Sequence, residues 1–223
     1  MKLRFLGHSA FEVKTGSGHT VLIDPYLDDN PVAAAKSGQV EADFIIPTHA
    51  HGDHLGDTFK IAQRCGSLII CVAELAGYCT RKGFKAHAMQ IGGARDFPFG
   101  RLKFTPAWHG SKTPDGEYAG LAAGILLWVD GTCIYHAGDT GLFYDMKLIG
   151  EMNKVDYMLV PIGDNYTMGI DDAVKAVEFV RPRVAIPIHY NTWPVIEADP
   201  QVFADKVEAL GASCLVLKPG DSV

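Results

Sequence analysis

Short apolar runs separated by turn residues dominate the first quarter of the chain and predict β-strands. Three such runs, at residues 3–6, 11–14 and 20–23, are divided by segments rich in Gly and Ser, as in a meander. A fourth run, Phe44-Ile45-Ile46, is short and wholly apolar, which is typical of a buried strand. It ends in a polar, histidine-rich turn at residues 48–53. The pattern therefore predicts a set of strands whose fourth member leads directly into a polar turn.

Helical and strand-like segments alternate in the middle of the chain. Gly66 follows one helical segment and is typical of a residue that ends a helix. Asp130-Gly131 lies between two apolar runs and is the strongest short-range signal for a β-hairpin. We expect helices near residues 57–65 and 74–82, and strands at residues 67–72, 102–107, 124–129 and 132–136.

The last third of the chain predicts strands that alternate with helices. Asp199 is a typical N-cap residue, Pro200 a typical first helical residue, and Gly211 ends that helix. Because strands come first and then alternate with helices, we expect an α+β fold with helices covering sheets. No linker, low-complexity tract or short repeat interrupts the pattern, which predicts a single domain over residues 1–223. The expected elements are strands at 155–161, 184–188 and 213–217, and helices at 171–180 and 200–210.

Composition narrows the functional classes. Hydrophobic residues make up 48% of the chain and charged residues 21%, which weighs against intrinsic disorder. The net charge of −6 weighs against sequence-independent binding to nucleic acid, which depends on Lys and Arg. The longest apolar run, residues 121–129, is too short to span a membrane. Five cysteines without a CxxC motif are typical of buried thiols in a reducing compartment, so we expect a cytoplasmic protein.

The segment His49-Ala50-His51-Gly52-Asp53-His54 concentrates three imidazoles and a carboxylate in one turn. These side chains are ligands for zinc and other first-row metal ions. His49 and His51 are two residues apart and can point the same way from an extended segment, whereas Asp53 and His54 lie beyond the bend. A single metal ion could not easily use all four, and two adjacent ions could.

Three further candidate ligands stand where predicted strands end. His109 follows the run at 102–107, Asp139 follows the hairpin strand, and His189 follows the run at 184–188. A lone histidine at a strand end is usually structural. In a chain that already contains an HxHxDH motif, three such positions indicate a metal site.

These motifs resemble the metallo-β-lactamase superfamily. That superfamily has an Asp at an early strand end, then HxHxDH, then a separate His, Asp and His in that order. This chain has Asp24, then residues 49–54, then His109, Asp139 and His189. Residues 7–11 and 161–169 are similar to a subgroup of small stand-alone proteins described as uncharacterised metal-dependent hydrolases. That subgroup resembles ascorbate-phosphate lactonases and phospholipase-D-like members.

The resemblance implies a four-layer αβ/βα sandwich with two divalent metal ions at one edge of the sheets. It implies that three histidines hold the first ion (His49, His51 and His109). It implies that three other residues hold the second (Asp53, His54 and His189), with Asp139 bridging both ions. Zinc is the expected metal, and Mn, Fe, Co and Ni are alternatives that His and Asp ligands also accept.

Other positions are expected to surround the metal ligands. Asp24 would orient a ligand imidazole or the motif turn. His8 is expected to enter the site as a catalytic or substrate-contacting residue, with Asp53 as a proton relay, whereas His136 is expected to pack in the core or behind the ligands. His19 and His87 have no assigned role. Five loop residues are candidate pocket walls: Asn165, Met168, Tyr190, Asn191 and Trp193.

The resulting expectation is a metal-dependent hydrolase. Two metal ions can share a water and lower its pKa to about 7, and the resulting bridging hydroxide would attack a small ester, lactone or phosphodiester. Two alternatives are a diiron redox protein and an RNA- or DNA-processing nuclease. Ala50 stands where diiron relatives typically carry a carboxylate, which weighs against the redox protein. The net charge of −6 gives no sign of a basic surface for a phosphate backbone, which weighs against the nuclease. We expect a small-molecule substrate, no nucleic-acid or membrane partner, and homo-oligomers as an option.

Overall fold

A computed structural model describes all residues, 1–223, and contains two β-sheets. The first sheet has six strands in sequence order. They are β1 Lys2–Gly7, β2 Ala10–Lys14, β3 Thr20–Ile23, β4 Phe44–Ile46, β5 Leu68–Val72 and β6 Ala86–Met89. The first three pair antiparallel, and β3 to β6 pair parallel.

The second sheet has seven strands, which are also neighbours in sequence order and repeat this arrangement. They are β7 Ala94–Phe97, β8 Gly100–Pro106, β9 Ala123–Val129, β10 Thr132–His136, β11 Tyr157–Pro161, β12 Val184–Ile188 and β13 Ser213–Cys214. Strands β7 to β10 pair antiparallel, with the predicted hairpin at β9 and β10, and β10 to β13 pair parallel.

Six α-helices connect and cover the sheets. They are α1 Gly52–Leu55, α2 Thr58–Cys65, α3 Ala73–Arg81, α4 Met146–Met152, α5 Ile170–Val180 and α6 Pro200–Ala209. Helix α6 begins as its sequence predicts, since the Asp199 side chain accepts a hydrogen bond from the backbone of Gln201 and Pro200 is the first helical residue. No helix combines the length and the apolar character needed to cross a bilayer.

Successive side chains along the strands of the second sheet point to opposite faces, which divides the core into two parts. Ile125 and Leu127 belong to a cluster of 41 buried residues that includes side chains of both sheets and of α2 and α3. Leu126 points the other way, into a cluster of 19 buried residues that includes side chains of α4, α5 and α6. The order of layers is therefore helices, sheet, sheet, helices, which confirms the predicted α+β four-layer αβ/βα sandwich.

Five elements differ from the expectation. The structure adds strands β6 and β7 and helix α4, and it turns residues 52–55 of the predicted polar turn into helix α1. The last strand ends at Cys214 instead of residue 217. Beyond it the chain crosses to the first sheet, where Gly220 and Val223 donate backbone hydrogen bonds to β1. The tail therefore covers the free edge of β1, which limits edge-to-edge association.

Candidate metal centre

All the predicted site residues lie just beyond the end of a strand, in loops except for Asp53 and His54, which belong to helix α1. Because carboxyl ends of neighbouring parallel strands meet at the same edge of a sheet, these loops converge. The strands and their loop residues are β1 with His8, β3 with Asp24, β4 with His49–His54, β8 with His109, β10 with Asp139, and β12 with His189.

Three of these residues adopt left-handed backbone conformations. The φ angles are 60° for His8, 46° for Asp24 and 54° for His189. Such values are uncommon outside glycine and concentrate at functional sites. The backbone N–H of His189 donates to the carbonyl of His8 at 2.9 Å, which ties the loop after β12 to the loop after β1. Gly7 makes the turn into His8 at a φ of 111°, where an added Cβ would lie 2.9 Å from the carbonyl oxygen of Val32.

The first group of candidate ligands contains three histidines. His49 Nε2 lies 2.9 Å from His51 Nδ1, and His109 Nε2 lies 3.2 Å from the same atom. One ring nitrogen of each histidine lies within 4.8 Å of the other two. His49 is fully buried, whereas His51 and His109 are partly exposed. The structure thus brings together the three residues predicted for the first metal ion.

The second group surrounds the carboxylate of Asp53. Its Oδ2 lies 3.3 Å from His8 Nε2, 3.7 Å from His189 Nε2 and 3.8 Å from His54 Nε2. These four side chains offer ligand atoms that all lie within 4.8 Å of one another. The structure therefore brings His8 into direct contact with the residues predicted for the second metal ion.

Asp139 lies between the two groups. Its Oδ1 is 3.1 Å from His54 Nε2, and its Oδ2 is 3.1 Å from His189 Nε2 and 3.6 Å from His109 Nε2. Asp139 also forms a possible ligand set with His49 and His54, which belong to different groups. This position agrees with a bridging role, which stays a prediction.

Two threonines that the sequence analysis did not identify hold the histidines in place. Thr48 Oγ1 donates to Asp24 Oδ2 at 2.8 Å and lies 3.1 Å from His49 Nδ1. Thr192 Oγ1 lies 2.7 Å from His8 Nδ1. Thr48 could have been found from the sequence, because it directly precedes the HxHxDH motif. Thr192 could not, because it is 184 residues from His8 in the sequence.

The remaining histidines do not join the ligand groups. His136 Nε2 donates to the carbonyl of Ser9 at 3.0 Å, and its Nδ1 accepts from the backbone of Gly138 at 3.0 Å. His136 is thus buried behind the site and braces the loops that carry His8 and Asp139. His19 packs on Phe44 and His87 on Phe97.

A cavity of about 210 Å³ opens onto the ligand groups. Of the predicted pocket walls, Trp193 lines it, together with Tyr166, which the sequence analysis did not select. Tyr190 and Asn191 line a separate cavity of about 110 Å³ that His8 also borders. The last two predicted walls do not line this cavity either, since Met168 is buried in the core and Asn165 is exposed.

Burial and mutual charge shift the protonation of the cluster. Burial lowers the pKa of His49 well below its usual value. Burial alone would also lower the pKa of His54, but neighbouring carboxylates, Asp139 first among them, raise it well above the usual value. Burial would raise the pKa of the Asp139 carboxyl, but the imidazoles of His54 and His189 hold it well below its usual range. The buried carboxylates therefore require positive charge beside them.

Several buried atoms of the cluster make no hydrogen bond of acceptable geometry, although some of them lie 3.1 Å from an opposite charge. They are His54 Nε2, Asp139 Oδ1 and both ring nitrogens of His189. A buried polar atom without a partner costs about 1–3 kcal/mol, and native proteins retain few. Imidazole nitrogens and carboxylate oxygens are the donors that zinc and other first-row ions use. The residues present therefore fit a metal ion, which would satisfy these atoms and supply the positive charge.

Comparison with known sequences identifies the relatives of the chain. The profile of the Beta-lactamase superfamily domain matches residues 19–190. A protein of Carboxydothermus hydrogenoformans named UPF0173 metal-dependent hydrolase is 52% identical over 100% of this chain and 99% of its own length. A protein of Pelotomaculum thermopropionicum with the same name is 48% identical with the same coverage.

Comparison with solved structures gives the same result. Igni18, described as a novel metallo hydrolase from the archaeon Ignicoccus hospitalis, superposes with a TM-score of 0.91 at 39% identity, covering 100% of this chain and 97% of its own. CmlA, described as a diiron β-hydroxylase from Streptomyces venezuelae, has a TM-score of 0.77 at 15% identity. It covers 100% of this chain and 53% of its own, and at that identity the likeness shows the fold alone.

Proposed function

We propose, from the membership of this chain in the metallo-β-lactamase superfamily, that it hydrolyses a small molecule at a site for two divalent metal ions. Within that superfamily the chain belongs to the family of UPF0173 metal-dependent hydrolases. The observation that carries the proposal is the arrangement of the ligand groups. Two sets of donors face the same cavity, and the Asp139 carboxylate has one oxygen 3.1 Å from His54 and the other 3.1 Å from His189.

The two ligand groups support the following assignment. His49, His51 and His109 would hold one ion. Asp53, His54 and His189 would hold the other, and Asp139 would contact both. Zinc is the proposed metal because it takes imidazole and carboxylate ligands, and Mn, Fe, Co and Ni use the same donors.

Bound at this site, a pair of divalent ions supplies an activated water near neutral pH and polarises the substrate oxygen. Asp53 lines the cavity, and its Oδ2 accepts a hydrogen bond from His8, so we assign it as the residue that relays a proton to the leaving group. Burial lowers the pKa of His8 to about 4, so His8 is neutral at pH 7. Since a carboxylate only accepts hydrogen bonds, Nε2 of His8 carries the proton and Nδ1 accepts from Thr192. Thr192 thereby fixes the tautomer in which His8 donates towards Asp53.

The cavity volume limits the size of the substrate. Ligand pockets for drug-sized molecules usually measure about 300–1,000 Å³, whereas this cavity measures about 210 Å³. Small esters, lactones and phosphodiesters fit that limit and contain a carbonyl or phosphoryl oxygen that metal ions polarise. A duplex or folded nucleic acid would need a longer, basic track.

The experiment combines metal analysis with a substrate panel. The purified protein is analysed for bound metals and assayed, metal-replete, against chromogenic esters, lactones and phosphodiesters. We expect close to two metal ions per chain and turnover of at least one substrate class. His51→Ala should lose metal and activity together, whereas His87→Ala, which removes a half-buried imidazole outside the site, should retain both.

Other results would overturn the proposal. Bound iron with oxygen consumption and no hydrolysis would indicate the redox alternative. Tight RNA binding that weakens steeply with salt would indicate the nuclease. Full turnover by His51→Ala would show that the predicted ligands do not carry the reaction.

A further inference from the structure

The wall of the cavity divides into two chemically different parts. Seven side chains line it, of which five are predicted metal ligands: His51, Asp53, His109, Asp139 and His189. The other two are Tyr166 and Trp193. The part of a substrate that does not react therefore has to lie against these two aromatic rings.

No lysine or arginine lines the cavity. Every ion pair formed by a predicted ligand joins a histidine to an aspartate. Of the cations on nearby segments, Lys36 donates through Nζ to the carbonyl of Asp28, and Lys60 pairs with Asp57 at 2.7 Å. Lys112, three residues after His109, is exposed and does not line the cavity. An anionic group extending away from the metals would find no cationic side chain on the cavity wall, and an unpaired charge in a partly buried site is costly.

The two rings are held differently. Trp193 is partly buried, with its ring centroid 5.0 Å from that of His8 and 6.1 Å from that of Tyr26. Tyr166 is 55% exposed and lies in the loop after β11. A fixed ring inside the cavity and an exposed ring at the same wall offer a surface for a flat or apolar group.

We propose that the substrate is an ester or lactone with an uncharged apolar or aromatic group that packs against Trp193 and Tyr166, in preference to one that carries an anionic group on that side. This rests on the proposed hydrolase function. Water adds across the acyl C–O bond, so that the acyl carbon gains the oxygen of water, the C–O bond breaks, and the leaving oxygen takes up a proton. The products are a carboxylic acid and an alcohol, or a hydroxy acid from a lactone.

The test uses substrates that differ in charge and little in size. The metal-replete protein is assayed with 4-nitrophenyl butyrate, and 4-carbamoylphenyl acetate is compared with 4-carboxyphenyl acetate, in which a carboxylate replaces the carboxamide. We expect kcat/KM for the carbamoyl ester to exceed that for the carboxylate by about tenfold or more. Equal or faster hydrolysis of the carboxylate would overturn the proposal.

Variants of the two rings test the wall itself. Trp193→Ala and Tyr166→Ala should each raise KM for the butyrate about tenfold while kcat changes little, because the ring contacts ground state and transition state alike. Trp193→Phe should recover most of the loss. Tyr144→Ala, which removes an exposed ring that packs on Phe179, serves as the control. An unchanged KM in both wall variants would overturn the proposal.

A binding measurement separates this proposal from the hydrolase function on which it rests. Calorimetry compares N-phenylbutanamide with its carboxylate analogue N-phenylsuccinamic acid on the metal-replete protein. Preferential binding of the neutral amide without turnover of any ester would support the proposed role of Trp193 and Tyr166 and would reject the proposed hydrolase function. Turnover of esters with equal or tighter binding of the anion would do the opposite.

Discussion

Nδ1 of His54 lies 2.7 Å from Oδ2 of Asp24, and both side chains are completely buried. Because a carboxylate only accepts hydrogen bonds, Nδ1 carries a proton and donates it to Asp24, which leaves Nε2 as the nitrogen that would bind a metal ion. Asp24 itself is fixed through its other oxygen, which accepts the backbone N–H of Thr48 at 2.6 Å. A carboxylate behind a histidine in this way sets the tautomer and the ring orientation of a metal ligand.

The first prediction is that Asp24→Asn weakens metal binding by about 10–100-fold, the usual effect of removing such a partner. The amide keeps the shape of the side chain but loses its charge, so the His54 ring is less basic and less firmly oriented. Calorimetric titration of the metal-free protein with zinc measures the change. Asp29→Asn, an exposed carboxyl in the same loop, should bind zinc like the wild type, and an affinity of Asp24→Asn within twofold of wild type would refute the role of Asp24.

The second prediction concerns removal of the metals. A ligand that binds only the folded state stabilises it by mass action, by about 2.7 kcal/mol per site at a concentration of 100 Kd. For a chain of this length the melting temperature should fall by about 5–10 °C per site on chelation. Differential scanning calorimetry with and without chelator checks this. His51→Ala should show a smaller difference, and equal melting temperatures of the wild type in both conditions would contradict metal binding at this site.

The third prediction is that His136→Leu destabilises the fold. The carbonyl of Ser9 and the N–H of Gly138 would each lose a buried partner, at about 1–3 kcal/mol per group. Urea unfolding followed by circular dichroism measures the loss. His87→Leu should stay within about 0.5 kcal/mol of wild type, since His87 is half-buried on an edge strand. If both variants unfold at the wild-type midpoint, His136 does not brace the loops.

The fourth prediction concerns acid stability of the loop after β3. The Lys60 ammonium and the Ser37 backbone N–H hold the pKa of the Asp28 carboxyl well below its usual range. A carboxyl with a depressed folded-state pKa stabilises the fold above the unfolded value of about 4, and the contribution is lost as the pH falls through the folded-state pKa. Asp28→Asn should therefore cost about 0.5–1 kcal/mol at pH 7, as expected for a partly exposed pair.

The pH dependence distinguishes this effect from lost packing. The gap in unfolding free energy between wild type and Asp28→Asn should narrow steadily below about pH 4, because the wild-type carboxyl becomes neutral too. Unfolding curves at a series of pH values measure the gap. A gap that stays constant down to pH 2 would show that charge is not the cause.

Much of the fold follows from local sequence patterns. The apolar alternation, the Asp130-Gly131 turn and the caps of α6 act over a few residues, so the strands and helices that depend on them were predicted nearly to their observed ends. Strands β6 and β7 contain no buried residue, and they form because β5 and β8 offer unpaired edges. Helix α4 is short, and it is set by its packing against α5, where an added Cβ on Gly150 would lie 2.3 Å from the carbonyl of Val180.

The ligand positions were predictable because each follows a strand and carries a side chain suited to metals. Asp24 and Trp193 were also predicted, as an orienting residue and a cavity wall. Thr192 and Tyr166 were not, since they act on groups far from them in sequence. Residue type alone does not mark a residue that lines a cavity. Met168 and Tyr166 lie in the same loop, yet Met168 is buried in the core and Tyr166 borders the cavity.

The sequence by itself determined the kinds of ligand, their order and their places at the ends of strands, because apolar periodicity and residue chemistry are local properties. Only the tertiary structure decided which donor atoms meet within each group, that His8 reaches Asp53, and that Tyr166 joins Trp193 on the apolar side of the cavity. The physical reason is that these contacts join residues on different strands and both sheets. Strand order and the backbone turns at Gly7, Asp24 and His189 set them, and neither is encoded in any one segment.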